Sequence, residues 1–450
     1  VVSDKPGTVQ IELYFETDSA KLPPLSDRLL PVLMFGKSAV SGKYNSIGGA
    51  ALIEFRRLQE ESDETAFDLM MLSLAVTAAD TFVERDSRAE DAWCRQLKIN
   101  LPMLNPTLWD KQKPLLKETL HFLSGDLWDF EFRQSDFQIP EMMKGMKARK
   151  IFINKHDSVC LFSGGLDSTI GAIDLQFQGK KSVLVSHAYP KDRQKQDGVY
   201  HKLRLSNARF QVVANPRKVK EIPADVQMRT RSFNFIAFGA LIATALSKNH
   251  HSNKIIPLYI PENGLISINP PLTPRRIGSL STRTTHPYFL KKLNELFSSI
   301  DLPVELLNPY QFKTKGEMML ECKDQKLLKK VATDTVSCGK WKRSGVQCGK
   351  CLPCLIRRAS FNASQFKDLT DYQYSVLSDV IKRDKQRDDL MSMVMAISKI
   401  KNTGNTNLWV AKSGFLPIEP KERQQIIDTV LRGFAEVEQY LKKENLGVNI

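Results

Sequence analysis

Six residues, Ser163-Gly164-Gly165-Leu166-Asp167-Ser168, sit between an apolar run, Val159–Phe162, and a stretch that reads as helix from Thr169 onward. A glycine-rich turn from strand to helix aims backbone N–H groups and the positive end of the helix dipole at one point. That point suits an anion. Gly164 and Gly165 let the backbone approach phosphate where a Cβ would obstruct it. The Ser163 and Ser168 hydroxyls add hydrogen bonds. Asp167 is placed either to cap the helix or to hold a Mg2+ that bridges phosphate oxygens. The chain has no G-x-x-x-x-G-K-[ST] stretch, so no loop lysine reaches the terminal phosphates.

A second cluster is Cys338-x9-Cys348-x2-Cys351-x2-Cys354, four thiolates at zinc-ribbon-like spacing. Gly349 allows the knuckle that turns the sulfurs of Cys348 and Cys351 inward. Lys340, Lys342, Arg343, Lys350, Arg357 and Arg358 offset the negative charge of such a site. Structural Zn2+ fits this set, with an iron–sulfur cluster as the alternative. Cys94, Cys160 and Cys322 are scattered and read as small buried hydrophobes. The pattern points to a reduced compartment rather than a disulfide framework.

Three further stretches carry charge where chemistry could use it. Arg229 and Arg231 lead an apolar helix, Phe233–Leu246, and oppose its dipole, so either they answer a phosphate or carboxylate or they form a solvated corner. Tyr259–Pro287 is a long Pro-, Gly-, Ser- and Thr-rich loop carrying Glu262, Asn263, Arg275, Arg276, Arg283 and His286, and reads as a cover for substrate. Thr314-Lys315-Gly316-Glu317 opens a helix, where Glu317 serves either substrate or a capping box.

The elements that must position these residues follow a clear order. From about residue 150, strands Val159–Phe162, Ser182–His187, Phe210–Val213, Lys254–Tyr259 and Val304–Leu307 alternate with helices. This predicts an α/β fold, a doubly wound parallel sheet over residues 151–370 with ligands beyond the strands' carboxyl ends. His187, ending the second strand, is expected near an adenine, as a bystander rather than a base. Residues 1–150 predict a separate α+β accessory domain: Val9–Thr17 and Asp126–Phe132 alternate as strands, and Ala66–Phe82 is an apolar helix. Partner docking is the role expected of it. Residues 371–450 predict a helical region, with helices Tyr372–Arg383, Leu390–Ile400 and Pro420–Glu444. No internal repeat is evident.

With 450 residues, 42% hydrophobic and 26% charged, the chain is expected to be a soluble, cytoplasmic protein of two or three domains. It shows no signal peptide and no uninterrupted membrane-span run, so no membrane partner is expected. A net charge of +15 suits a polyanion such as ATP, nucleic acid or an acidic protein. Nucleic acid is not favoured, because no RNA-binding signature with interleaved aromatics is present.

SGGLDS resembles the S-G-G-x-D-S PP-loop of ATP pyrophosphatases. Together with the arginine-led helix, Thr-Lys-Gly-Glu and CGKCLPCLIRR, it resembles the 7-cyano-7-deazaguanine synthase (QueC) family over roughly Asp157–Phe361. That resemblance implies a zinc-bearing ligase that adenylates a 7-deazaguanine carboxylate with ATP and Mg2+, then forms an amide with ammonia and dehydrates it to a nitrile. The chain departs from the family in having residues 1–150 and the helical tail. It also has Arg231-Ser232 where the family has Arg-Asn, the longer Glu262–Arg283 segment, and His286 in place of an arginine. The enlarged form is similar to QueC-like proteins of bacterial anti-phage operons, the Qat system and type IV CBASS. This implies an amide formed with an amine of a partner protein from the same defence operon (QatB-like).

On this reading Ser163, Asp167, Ser168, Arg231 and Lys315 are catalytic. Ser163–Ser168 and His187 hold ATP. Glu262, Asn263, Arg283, His286 and Glu317 face the deazaguanine-type substrate, with Glu262 or Glu317 orienting the heterocycle or accepting a proton. Cys338, Cys348, Cys351 and Cys354 bind zinc. A tRNA-thiolase-like enzyme and a non-catalytic ATP-binding scaffold are the other classes the sequence admits.

Overall fold

Apolar and polar residues alternate along Ile11–Glu16 (β1) and Leu127–Gln134 (β5), which share a sheet with Leu29–Met34 (β2), Asn45–Ile47 (β3) and Gln96–Met103 (β4). The computed structural model describes residues 9–446, except 37–42, 59–62, 90–92, 143, 146–147, 188, 205–207, 220–227, 251–253, 273–282, 403–405 and 445. Arg275 and Arg276 lie outside the described residues. The five strands all pair in parallel, in the order β3-β2-β1-β4-β5. This corrects the α+β expectation for residues 1–150, which form an α/β unit. Alternation usually marks an antiparallel sheet with one wet face. Here it arises because the β1–β2 connection carries only the turn Ser19–Lys21, and no helix from that connection covers the outer face. On that face Lys98 stands 2.7 Å from Glu131 and 3.5 Å from Glu12.

The inner face is covered by Glu64–Phe82 (α1) and Pro106–Ser124 (α2). By length and composition α1 could cross a membrane, but 89% of that window is buried inside the fold. It is apolar on all sides because protein surrounds it.

The second sheet comprises Ser158–Leu161 (β6), Ser182–His187 (β7), Arg209–Val212 (β8), Ile256–Tyr259 (β9) and Val304–Leu307 (β10). It is parallel, in the order β8-β7-β6-β9-β10. Leu166–Phe177 (α3) and Pro190–Leu203 (α4) follow its first two strands. Arg231–Asn249 (α5), Gly264–Ile268 (α6) and Pro287–Ser299 (α7) complete the crossovers. This is the doubly wound sheet expected from the sequence.

Counted within its own unit, each sheet has the order third, second, first, fourth, fifth. The equivalent crossover helices meet face to face, α1 along α5 and α2 along α7. One hydrophobic core runs through both units. The chain therefore repeats a topology that its sequence does not display as a repeat.

After Lys315–Glu321 (α8) comes the cysteine segment, and then Leu352–Ala363 (α9), Asp388–Asn402 (α10) and Pro420–Lys443 (α11). The expected helix Tyr372–Arg383 shrinks to Leu377–Ile381. Its first residues run extended against the cysteines instead: Gln373 N donates to Gln347 O (2.9 Å) and Tyr374 N to Cys348 O (3.2 Å).

Candidate active site

The Ser163–Ser168 turn closes at the carboxyl end of β6. Gly164 adopts φ +75°, and a Cβ there would press on Gln196 at 3.0 Å. The positive φ is the conformation that favours glycine. The Ser163 and Ser168 hydroxyls lie 3.1 Å apart, and Ser163 Oγ accepts from Gly165 N (3.3 Å). Leu166 anchors the start of α3 in the core. The loop's outer side is braced by the segment leading to the cysteines, where Val336 N donates to Gly164 O (3.2 Å).

Beneath the loop lies a small buried network. Lys315 Nζ meets Asp167 Oδ1 at 2.6 Å. Asn263 Nδ2 donates to Asp167 Oδ2 (2.6 Å) and to Glu262 Oε1 (3.1 Å), and Glu262 also hydrogen-bonds Asp167. Burial pushes the Asp167 carboxyl up, but the Lys315 ammonium and these hydrogen bonds win and hold it at about 2. Glu262 moves the other way: burial, then the neighbouring Asp167 charge, raise it well above its ordinary value.

A cavity of about 420 Å³ opens beside the loop at the sheet's carboxyl edge. Ser163, Gly164 and Ser168 line one side, with Arg231, Glu262 and Trp341 among the other walls. A smaller chamber of about 220 Å³ reaches Asp167 and Lys315 and shares Glu262 with it. Arg231 stands 3.0 Å from Asp192. The sequence reading missed Lys191, Lys195, Phe235, Thr284, Thr285 and Trp341, which also line the cavity. A signal existed for the lysines: like Arg231, they sit in a first helical turn or just beyond it, against the helix dipole.

Other expected site residues do not line either chamber. His187 is buried behind the wall, against Phe235 and Phe238, where Arg231 Nε donates to its Nδ1 (3.4 Å). Arg229 stacks on Trp93 (4.5 Å) and donates to Ser124 O (3.0 Å), so its partner is the first unit rather than an anion. Asn263 is fully buried and caps α6, accepting from Ile266 N (3.1 Å). Arg283 stacks on Phe122 (4.6 Å) and donates to its carbonyl oxygen (2.9 Å). His286 caps α7, and burial, with Arg283 nearby, holds it down to about 3, hence neutral. Glu317 forms a capping box with Thr314 and meets Arg432 of α11 at 2.6 Å. The Tyr259–Pro287 segment is therefore no free cover over its described first part, since Ile260, Pro261 and Asn263–Leu265 are buried.

The sulfurs of Cys338, Cys348, Cys351 and Cys354 converge within 4.8 Å of one another. The Cys348–Cys354 and Cys338–Cys351 pairs are 3.9 Å apart. One tetrahedral Zn2+ at about 2.3 Å from each sulfur would set them about 3.8 Å apart. Backbone N–H groups of Cys348 and Cys351 point at the Cys338 and Cys348 sulfurs (3.3 Å each), as thiolates require. The donor set fits Zn2+. Because Val336–Gly339 and Trp341 also line the cavity, an ion here would fix one of its walls.

The family model described as "QueC: Queuosine biosynthesis protein QueC" matches residues 284–365. That segment holds α7, β10, Lys315 and all four clustered cysteines, while the Ser163–Ser168 loop lies outside it. The similarity to the QueC family thus covers residues 284–365, less than a fifth of the chain. No curated protein matches the chain.

Proposed function

We propose that this protein is an AMP- and pyrophosphate-forming carbon–nitrogen ligase acting on a 7-deazaguanine-type carboxylate. The observation that carries the proposal is the shared cavity. The phosphate-shaped loop, the Asp167–Glu262–Lys315 cluster, Arg231 and the cysteine wall all border the same joined space.

Ser163–Ser168 bind the ATP phosphates through loop N–H groups and hydroxyls. Asp167, a hard oxygen donor beside the serines, would hold Mg2+, which would supply charge neutralisation to phosphate oxygens. A carboxylate oxygen attacks the α-phosphorus, the α–β bridging bond breaks, pyrophosphate leaves, and an acyl-adenylate forms. Arg231 and Lys315 stabilise the charge of the transferring group. An amine then attacks the acyl carbon, loses a proton to a carboxylate or water, and expels AMP. Trp341 and Phe235 offer aromatic faces to a heterocycle. Glu262 is the carboxyl left to orient it, because Glu317 is committed to capping and Arg432.

The amine is assigned to a partner protein of the same anti-phage operon, on the strength of the resemblance of the enlarged chain. Ammonia with nitrile formation is the second reading, favoured by the QueC match over 284–365. Intact-mass spectrometry of the co-expressed operon partner separates them. A gain matching a deazaguanine amide, absent with Asp167→Ala, supports protein ligation. An unmodified partner, together with nitrile made from the carboxylate, ATP and ammonia, supports the second.

A further inference from the structure

Among the contacts between the two units, one joins a buried charge of the first to a helix start of the second. Asp80, in the last turn of α1, is 1% exposed. A carboxylate there is opposed by burial and by the negative end of the helix dipole. It is held below the ordinary carboxylate range all the same, because Arg95 (2.7 Å) and Arg85 (3.1 Å) lie against its Oδ1. Asp126 balances the second guanidinium, 2.6 Å from each arginine. This network of two acids and two arginines closes charge within the first unit.

Its remaining oxygen leaves that unit. Asp80 Oδ2 accepts from both Thr230 N (2.8 Å) and Thr230 Oγ1 (3.0 Å). Thr230 is the N-cap of α5, yet its hydroxyl does not cap its own helix. The two residues that follow, Arg231 and Ser232, line the cavity. One turn further on, Asn234 Nδ2 donates to Ser73 Oγ of α1 (2.9 Å). The start of α5 is therefore gripped from the first unit on the side away from the cavity.

We infer that Asp80 is a positioning residue for the cavity: through Thr230 it sets where Arg231 and Ser232 stand. Thr230 satisfies the second oxygen of the buried Asp80, and the same two bonds fix the backbone that carries Arg231 and Ser232 to the cavity wall. Displacement of a reacting group's partner by about 1 Å can lower turnover by up to about 10²-fold. The inference rests on the proposed reaction only for its turnover readout.

The test is a double-mutant cycle in the full chain. Thr230→Val removes the hydroxyl bond and leaves the buried charges balanced, so it remains informative if Asp80→Asn fails to fold. Thr230→Val is expected to lower kcat/KM for AMP release with 7-carboxy-7-deazaguanine about tenfold. Thr230→Ser is expected to restore it to within about twofold, and Thr230→Val is expected to have no further effect once Arg231→Ala is present. Unchanged kcat/KM in Thr230→Val, or an equal loss with and without Arg231, overturns the inference. If the wild-type chain binds MgATP but releases no AMP with the carboxylate, the reaction reading fails. The same cycle read in calorimetric MgATP dissociation constants then decides the role of Asp80, with coupling to Arg231 supporting it and additivity or no change rejecting it.

Discussion

The two five-stranded units share a strand order and differ at the carboxyl end of their first strand. In the second unit β6 runs into two glycines and two serines, and the loop opens on a cavity. In the first, β1 ends in Phe15-Glu16, and Arg133 reaches across from β5 to donate to Phe15 O (2.7 Å) and Glu16 Oε1 (2.7 Å). A guanidinium thus closes the topologically equivalent place. The second sheet has helices on both faces, while the first shows an ionic outer face. The order of strands supplies a location for a ligand. The glycine pair and flanking serines that the proposed phosphate site needs are found at the second unit's strand end and not at the first's. The first unit retains a different task, holding α5 through α1.

The sharpest way to break this contrast is to mutate both strand ends. Asp167→Ala is expected to lower AMP formation by about 10³-fold, since it removes loop charge and strands Lys315. Glu16→Ala should leave the rate within about twofold of wild type on the same pyrophosphate-release assay. A comparable loss from both would erase the functional asymmetry.

Next in size is the cysteine wall, which has no counterpart in the first unit among the described residues. Cys351→Ser is expected to abolish stoichiometric zinc by elemental analysis and to destabilise the chain by several kcal/mol in denaturant melts. Retention of one zinc per chain would contradict the four-thiolate site.

A smaller effect tests how the tail braces the second unit. Glu436 of α11 accepts from Thr314 Oγ1 and, at 3.2 Å, from Gly316 N, on either side of Lys315. Burial raises its carboxyl from 4.5 to about 7. A raised folded value means that the folded state binds the proton more tightly. The associated stability is full below pH about 4.5 and is lost as pH rises through about 7, by at most about 3 kcal/mol. Glu436→Gln should flatten that part of the profile, measured by melts between pH 4.5 and 7.5. An unchanged slope would assign it to other groups, such as Asp68 in the first unit, which burial raises to about 6.

The smallest expected change is Arg133→Met. It should cost about 1 kcal/mol, because the pair is part-exposed, and leave turnover unaltered. Melts and the same release assay check both halves.

Local chemistry was legible in the sequence because it depends on neighbours a few residues apart. The Gly164 turn, the Cys348–Cys351 knuckle, the Thr314–Glu317 capping box and the strands of the second sheet all require only short-range geometry and apolar runs. Arg283 and His286 were misplaced for the opposite reason. Their partner, Phe122, lies more than a hundred residues earlier, and no local pattern encodes that contact. The alternation in β1 reported a wet face correctly but could not reveal that its neighbours run parallel to it.

By itself, then, the sequence determined a phosphate-shaped loop, a four-thiolate cluster and the α/β alternation that presents the loop. The tertiary structure decided which charged groups share the cavity, that the first unit repeats the second's topology, and that Asp80 holds Thr230. The Asp80–Thr230 pairing joins residues 150 positions apart. Such pairings are set by how two sheets and their facing helices exclude water together, a property of the packed core rather than of any one segment.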